Sequence, residues 1–176
     1  MTGVRLAMAI ALGVVAVSPP SGAPAVVRSA GGASSTTCWT DPFYCEKVAW
    51  WTLDNVNTER IIRGLPPLRV HPVLWSLAQQ QSRDMAERDR LAHISSRGES
   101  LEVRLIRAGF SRWKRAAENL ALCYEEVVPS LVVIHGWMMS PNHRQNILDP
   151  RFRETGIGVA QSARGAYYFT QIFLDP

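Results

Sequence analysis

The feature that most constrains the fold is a break between two helices within residues 136–148, GWMMSPNHRQNIL. The residue before a proline is driven out of the α conformation, so the apolar helix that carries Trp137 must end at Ser140. Serine is also preferred at helix N-caps, and Pro141 suits the first helical position. The sequence therefore predicts that a second helix begins here, with His143 in its first turn.

His143 has two interpretations at this position. The macrodipole at the start of a helix disfavours an added proton, which leaves the imidazole able to bind a metal ion or to accept a proton. A histidine here can equally serve only for packing or hydrogen bonding. The local sequence leaves both open.

Residues 1–25 are typical of a secretory signal peptide. Arg5 is followed by an apolar run over residues 6–17, and small residues at 23–25 suit cleavage. The run is shorter than the roughly 20 residues that span a bilayer, and no later run is as long. We therefore expect a secreted or cell-envelope protein without a transmembrane anchor.

Removing residues 1–25 leaves 151, the length of one ordinary domain. Residues 26–40 are mostly small and polar and predict a flexible leader, so the domain is expected over 41–176. The net charge of +4 loses only Arg5 and becomes +3. This charge is too small to indicate a nucleic-acid partner.

The chain has three cysteines, an odd number for an exported protein. Cys38 and Cys45 are close enough in sequence to close a small disulfide loop, in which case Cys123 is a buried reduced thiol. The other pairings remain open. One disulfide at most contributes to stability, so the core must supply the rest.

Hydrophobic periodicity and turn residues predict mixed helices and strands. The first expected helix is capped by Asp41-Pro42, ends before Gly64 and has an apolar face of Ala49, Trp50, Leu53 and Val56. The second runs from Pro72 to near Arg90, with Leu74, Leu77, Ala78, Gln81 and Met85 on one face. The remaining elements are a short helix capped by Ser100, an extended segment over 113–123, the two helices joined at Ser140, and a hairpin of 156–160 with 166–174.

Five residues could carry site chemistry, because histidine and carboxylate are the usual metal ligands and proton carriers. They are His71, His93, Glu118, His135 and His143. They form no local catalytic or metal-binding motif, so only the fold can bring them together. His71 and His135 are expected to serve for packing or to lie on the surface.

A set of ordered motifs resembles the CAP superfamily, also called the SCP/Tpx-1/Ag5/PR-1-like domain, in its bacterial secreted branch. The likeness covers roughly residues 46–175. Its motifs are Asn57-x-x-Arg60, Gly64-Leu-Pro-Pro-Leu68, Met85 with Leu91-Ala-His93, Ala117-Glu-Asn-Leu120, Trp137-Met-x-Ser-Pro-x-His143-Arg-x-Asn-Ile147, Gly156-Ile-Gly158 and Tyr168-x-x-Gln171-x-Phe173.

The resemblance implies an α+β fold, an α-β-α sandwich with a central antiparallel sheet between helical layers. It also implies a cleft lined by His93, Glu118 and His143. Animal and plant members carry a second glutamate where this chain has Ser140. Any activity that needs that fourth group is therefore in doubt.

Two imidazoles and one carboxylate form a set that holds a divalent metal, zinc first, with one position open for water. A metal-free cleft in which Glu118 orients a histidine fits as well. The resemblance favours an extracellular binding or interaction module whose partner is an extracellular protein, a cell-envelope component or a lipid.

Two alternatives remain. A metal-dependent hydrolase would use His93, Glu118 and His143, but no nucleophile is evident: Ser140 is expected to cap a helix, and Cys123 lies in an apolar setting. A lipid-binding carrier would need an apolar groove, for which Trp113 and Met138 are candidate lining residues.

Overall fold

The computed structural model describes residues 8–9, 43–124 and 128–176. Helices and strands alternate irregularly along these ranges. In chain order they are β1 (Met8–Ala9), α1 (Tyr44–Ile61), β2 (Arg69–Val70), α2 (Pro72–Arg88), α3 (Leu101–Arg107), β3 (Arg115–Cys123), α4 (Pro129–Met139), α5 (Pro141–Leu148), β4 (Glu154–Gln161) and β5 (Tyr167–Asp175).

The strands form one sheet in the order β1-β3-β5-β4-β2. β5 lies between β3 and β4 and is antiparallel to both, so the predicted extended segment and hairpin are confirmed. Gly165, in the turn between β4 and β5, has a φ of +85°, a conformation that glycine adopts without strain. β2 differs, because it pairs with β4 in parallel.

Helices cover both faces of the sheet, which confirms the predicted α-β-α sandwich. Successive residues of a strand point to opposite faces, so Leu120 and Ala121 of β3 belong to different cores. The helices α1, α4 and α5 pack on the face of Ala121, while α2 and α3 pack on the face of Leu120. We call these the α1 face and the α2 face.

Two glycines let α2 lie directly on β4. A Cβ at Gly156 would lie 2.1 Å from the carbonyl carbon of Leu74, and one at Gly158 would lie 2.3 Å from that of Ala78. No side chain fits in either space. The side chain of Gln79 also bonds to the main-chain N–H and C=O of Val159, at 3.1 and 2.9 Å. α2 is thereby fixed against the sheet, together with the loop that follows it.

The first helix differs from the sequence expectation at two points. Asp41 and Pro42 lie outside the described residues, so their capping role stays a prediction. Trp50 was expected on the apolar face with Ala49, but it is 44% exposed and stacks on Trp75 with ring centroids 4.5 Å apart. Consecutive helix residues are about 100° apart, so Trp50 lies at the edge of the face that Ala49 buries.

Ser140 ends α4 and stands at the N-cap of α5, as the proline rule predicts. The expectation that its side chain caps the helix is wrong, since the hydroxyl makes no capping hydrogen bond. Its main-chain carbonyl instead accepts the N–H of Arg144 at 2.9 Å and so begins the helix.

Among the described residues, no helix is long and apolar enough to cross a bilayer. Apart from β1, the predicted signal peptide and the leader over 26–40 lie outside the described residues. Cys38 does so too, and its pairing with Cys45 therefore stays a prediction. Cys123 is buried in the core of the α1 face.

Candidate functional site

His93 lies in the loop that joins α2 to α3, and polar side chains of α2 hold this loop. Gln81 donates its amide N–H to the carbonyl oxygen of Ala92 at 2.6 Å. Asp84 accepts the main-chain N–H of Ser96 with its two carboxylate oxygens, at 3.0 and 3.2 Å. His93 thus lies between Ala92 and Ser96, both of which are held by side chains of α2.

The ionised form of Asp84 is the form that anchors the loop. Burial by itself raises the pKa of this carboxyl group, but hydrogen bonds from Ser96 and an ion pair with Arg88 outweigh burial. The pKa therefore lies below its ordinary value. Asp84 stays charged and anchors the loop until the solution is strongly acidic.

Glu118 of β3 points to the α2 face, where it meets His93. The Oε1 atom of Glu118 lies 2.9 Å from Nδ1 of His93, and its Oε2 atom accepts from Arg104 at 2.7 Å. The Glu118 side chain is only 3% exposed, whereas that of His93 is 52% exposed. A buried carboxylate therefore holds an exposed imidazole.

Arg104 of α3 balances the charge of Glu118, and the sequence analysis missed it. Its side chain is 6% exposed, and its Nη2 atom also donates to the carbonyl oxygen of His93 at 3.4 Å. A signal was present, because Leu101, Arg104 and Leu105 share the spacing of one helix face, and a charge on a buried face needs a partner.

The contact fixes which nitrogen of His93 carries a proton. A carboxylate only accepts hydrogen bonds, so Nδ1 of His93 must donate to Glu118. In the neutral ring, Nε2 then carries a lone pair, and no described residue bonds to it. Such an imidazole can accept a proton, accept a hydrogen bond or bind a metal ion.

His143 is linked to this pair through the residue that follows Glu118. Asn119 points to the α1 face, where its Nδ2 atom donates to the main-chain carbonyl of His143 at 3.0 Å. Its Oδ1 atom accepts from Asn146 at 2.8 Å. The imidazole of His143 is buried on α5. β3 thus contacts His93 with one side chain and positions the His143 backbone with the next.

The observed contacts fit a metal on His93 better than one shared by all three predicted ligands. Both oxygens of Glu118 are already engaged, one of them by a guanidinium that repels a metal cation. Across residues 43–124 and 128–176, no group of three or more His, Cys, Asp or Glu side chains is arranged to hold a metal ion. The set of His93, Glu118 and His143 stays a prediction.

Other candidate residues have local roles. His71 caps α2 by accepting the N–H of Val73 on its Nδ1 at 3.2 Å, and His135 is exposed on α4. Both agree with the packing or surface roles expected. Trp113 packs on the α2 face and Met138 on the α1 face, so these two residues do not line a common groove.

The sequence also matches the profile of a known protein family. The sequence profile of CAP, the cysteine-rich secretory protein family, matches residues 53–173. This range contains His93, Arg104, Glu118, Asn119 and His143. The matched range thus includes all the residues of the candidate site.

Two relatives from Bacillus subtilis (strain 168) are similar over the same part of the chain. The uncharacterized protein YkwD is 36% identical over 110 residues, which are 62% of this chain and 41% of YkwD. The uncharacterized membrane protein YlbC is 31% identical over 122 residues, which are 69% of this chain and 33% of YlbC. The chain therefore spans less than half the length of these relatives.

A crystal structure shows the same fold. It is of an extracellular protein containing a SCP domain from Bacillus anthracis strain Ames, with a TM-score of 0.68 and 25% identity. The match covers 80% of this chain and 44% of that protein.

Proposed function

Because the chain belongs to the CAP family, we propose that it is an extracellular binding module that contacts its ligand through His93. The description of the Bacillus anthracis relative as extracellular supports this location, as does the predicted signal peptide. The ligand class is an extracellular protein or a component of the cell envelope.

One observation carries the proposal: an exposed imidazole is held by a buried ion pair. Glu118 and Arg104 bury their charges while orienting a ring that is half in solvent. Apolar residues of similar volume often stabilise a fold as well as a buried ion pair does. The pair is therefore better explained by the orientation of His93 than by stability.

Co-sedimentation of the purified protein with isolated bacterial cell envelopes tests the proposal. We expect the wild-type protein to bind, and His93→Ala to bind about tenfold more weakly or worse, the effect of losing one central contact. His135→Ala is the matched control, because His135 is also exposed but lies on α4. Equal binding by His93→Ala and the control would contradict the proposal.

The proposal includes a divalent metal, preferably zinc, with His93 as its ligand. When bound, it would supply a Lewis-acid centre, and Glu118 would orient the ring from Nδ1. The metal content of the protein, loaded with zinc and dialysed, decides this point. We expect zinc to be retained by the wild type and lost from His93→Ala. Loss from His143→Ala as well would favour the predicted set of three residues over a metal on His93 alone. Retention in the double variant would contradict the predicted metal site.

The hydrolase alternative is supported by the same His93–Glu118 contact, because a general base needs an oriented imidazole. Zinc-dependent cleavage of casein that is lost in His93→Ala would favour it over binding alone. No cleavage by the zinc-loaded protein would exclude proteolysis of this substrate.

A groove between α1 and α4 favours the second alternative, a lipid carrier. It has a volume of about 400 Å³, and its lining includes the exposed side chains of Trp51 and Leu131. Quenching of tryptophan fluorescence by a brominated fatty acid would support a lipid there, provided that Leu131→Asp abolishes it. Quenching that Leu131→Asp does not change would place the lipid elsewhere.

A further inference from the structure

A second cavity lies beside the His93 loop and shares Arg104 with the site. It has a volume of about 490 Å³ and lies between α2, the loop and α3. Most of its lining residues are polar or charged, and neither His93 nor Glu118 belongs to it. This volume is within the range of about 300–1,000 Å³ that is usual for sites of small ligands.

Two buried side chains of the lining have atoms without partners among the described residues. Nε and Nη1 of Arg104 make no hydrogen bond, and neither does Oε1 of Gln81. Arg104 is 6% exposed and Gln81 is 1% exposed. Burying an unpaired polar group is costly, so native proteins rarely retain one without a reason. Here the unpaired atoms lie on two residues of the same cavity wall.

The unpaired atoms indicate which chemical group could pair with them. The nitrogens of Arg104 donate hydrogen bonds, whereas Oε1 of Gln81 accepts them. A carboxylate could satisfy only the arginine, and an ammonium group only the glutamine. A hydroxyl group both accepts and donates, so it can serve both residues.

The charges of the lining also favour a neutral ligand. The lining contains four arginines and three acidic residues, which are Arg83, Arg97, Arg104, Arg107, Asp84, Glu87 and Glu99. Two ion pairs with residues outside the lining, Arg104 with Glu118 and Asp84 with Arg88, add one charge of each sign. The lining is therefore close to electrically balanced. Leu77 and Ala108 supply apolar surface for C–H groups.

We propose that this cavity binds a hydroxyl-rich ligand of the saccharide class, with Arg104 and Gln81 as its buried hydrogen-bonding residues. The unpaired atoms are buried, so rim side chains must move for the ligand to reach them. We expect Arg107, an exposed lining residue that pairs with Glu99, to be one of them. Side-chain changes of this kind are common on binding. The cavity does not depend on His93 and can bind its ligand even if the function proposed above fails.

Two-dimensional ¹H–¹⁵N NMR of the purified protein tests the proposal, with maltose as the saccharide probe and sodium acetate as the carboxylate probe. We expect maltose to shift the signals of residues 95–99 and the side-chain Nε–H of Arg104, saturating with a Kd of about 1 mM or lower. Acetate should produce no such shifts, and His93→Ala should leave the maltose titration unchanged.

Three variants make the test specific. Ala108→Phe places a larger side chain in the cavity and leaves Arg104 and Glu118 unsubstituted. Arg104→Lys keeps a positive charge for Glu118 but removes the spare donors. Each should weaken maltose binding about tenfold or more, Ala108→Phe because it occupies the space of the ligand and Arg104→Lys because it loses a hydrogen bond to a charged group. Ala163→Phe, in the exposed turn after β4, is the control and should bind like the wild type.

Three results would overturn the proposal. The absence of saturable shifts with maltose would mean that the cavity holds only water. Binding that survives Ala108→Phe would place the saccharide elsewhere. Shifts with acetate alone would assign the cavity to an anion.

Discussion

Glu118 and Asn119 are neighbours on β3, yet they serve opposite faces of the sheet. Glu118 joins His93 to Arg104 on the α2 face, and Asn119 joins the His143 carbonyl to Asn146 on the α1 face. This follows from strand geometry, because successive side chains alternate across a sheet. One dipeptide therefore connects both helical layers around the site.

Removing the Glu118 carboxylate should destabilise the protein strongly. Glu118→Ala leaves the buried Arg104 guanidinium without its partner, which costs about 3–5 kcal/mol in comparable cases. Urea unfolding measures the loss. Glu87→Ala, at an exposed carboxylate of α2, should cost far less. The double variant Glu118→Leu with Arg104→Leu should lie closer to the wild type than Glu118→Ala does. If it is the least stable of all, the ion pair stabilises the fold in its own right.

Gly158→Ala should separate α2 from β4. The added Cβ would lie 2.3 Å from the backbone of Ala78, which cannot rotate away as a side chain would. We expect a loss of about 1–3 kcal/mol or more, measured by thermal unfolding.

Gly165→Ala is the contrast to Gly158→Ala, because its Cβ would meet nothing within 4 Å although its φ is +85°. It should cost only the left-handed backbone strain of about 1–2 kcal/mol. A smaller loss for Gly158→Ala than for Gly165→Ala would contradict the close contact.

The loop that carries His93 should loosen in acid. Because the pKa of Asp84 is lowered on folding, its contribution to stability is complete above the unfolded-state pKa of about 3.9. It is lost as the pH falls through the lower folded-state pKa. Asp84→Asn should therefore show a smaller fall in Tm between pH 6 and pH 3 than the wild type does. Asp54→Asn, at an exposed position of α1, should follow the wild type. Identical pH dependence in all three proteins would refute the anchor.

Much of the fold could be predicted because the signals are local. The Ser140-Pro141 break, the apolar face of α2 and the glycine-bounded hairpin each depend on a few adjacent residues. The layered arrangement came from the resemblance, since the pairing of β3 with β5 joins residues about fifty positions apart.

The site was harder to predict, because its members interact through space. His93 and Glu118 came from the motifs of the family. Arg104 lay outside those motifs, and its spacing from Leu101 was the only signal for it. Gln81 stood out as a polar residue on the apolar face of α2, but the sequence did not indicate its partner. Asp84 carried no sequence signal of its role. The partners of both residues are main-chain groups of the loop.

The predicted disulfide can be tested directly. We expect Cys38 and Cys45 to be joined and Cys123 to be reduced, since Cys123 is buried in the core of the α1 face. Peptide mapping under non-reducing conditions identifies the linked peptides. A peptide that joins Cys123 to either of the other cysteines would contradict the pairing.

The ring ¹⁵N spectrum of His93 at neutral pH tests most directly the claim that Glu118 presents this imidazole to a ligand. In the neutral ring, the geometry predicts a protonated Nδ1 and an unprotonated Nε2, because Glu118 can only accept at Nδ1. Addition of zinc or of cell-envelope extract should then shift Nε2 first. A ring with its proton on Nε2, or averaging between the two forms as in a free histidine, would contradict the account.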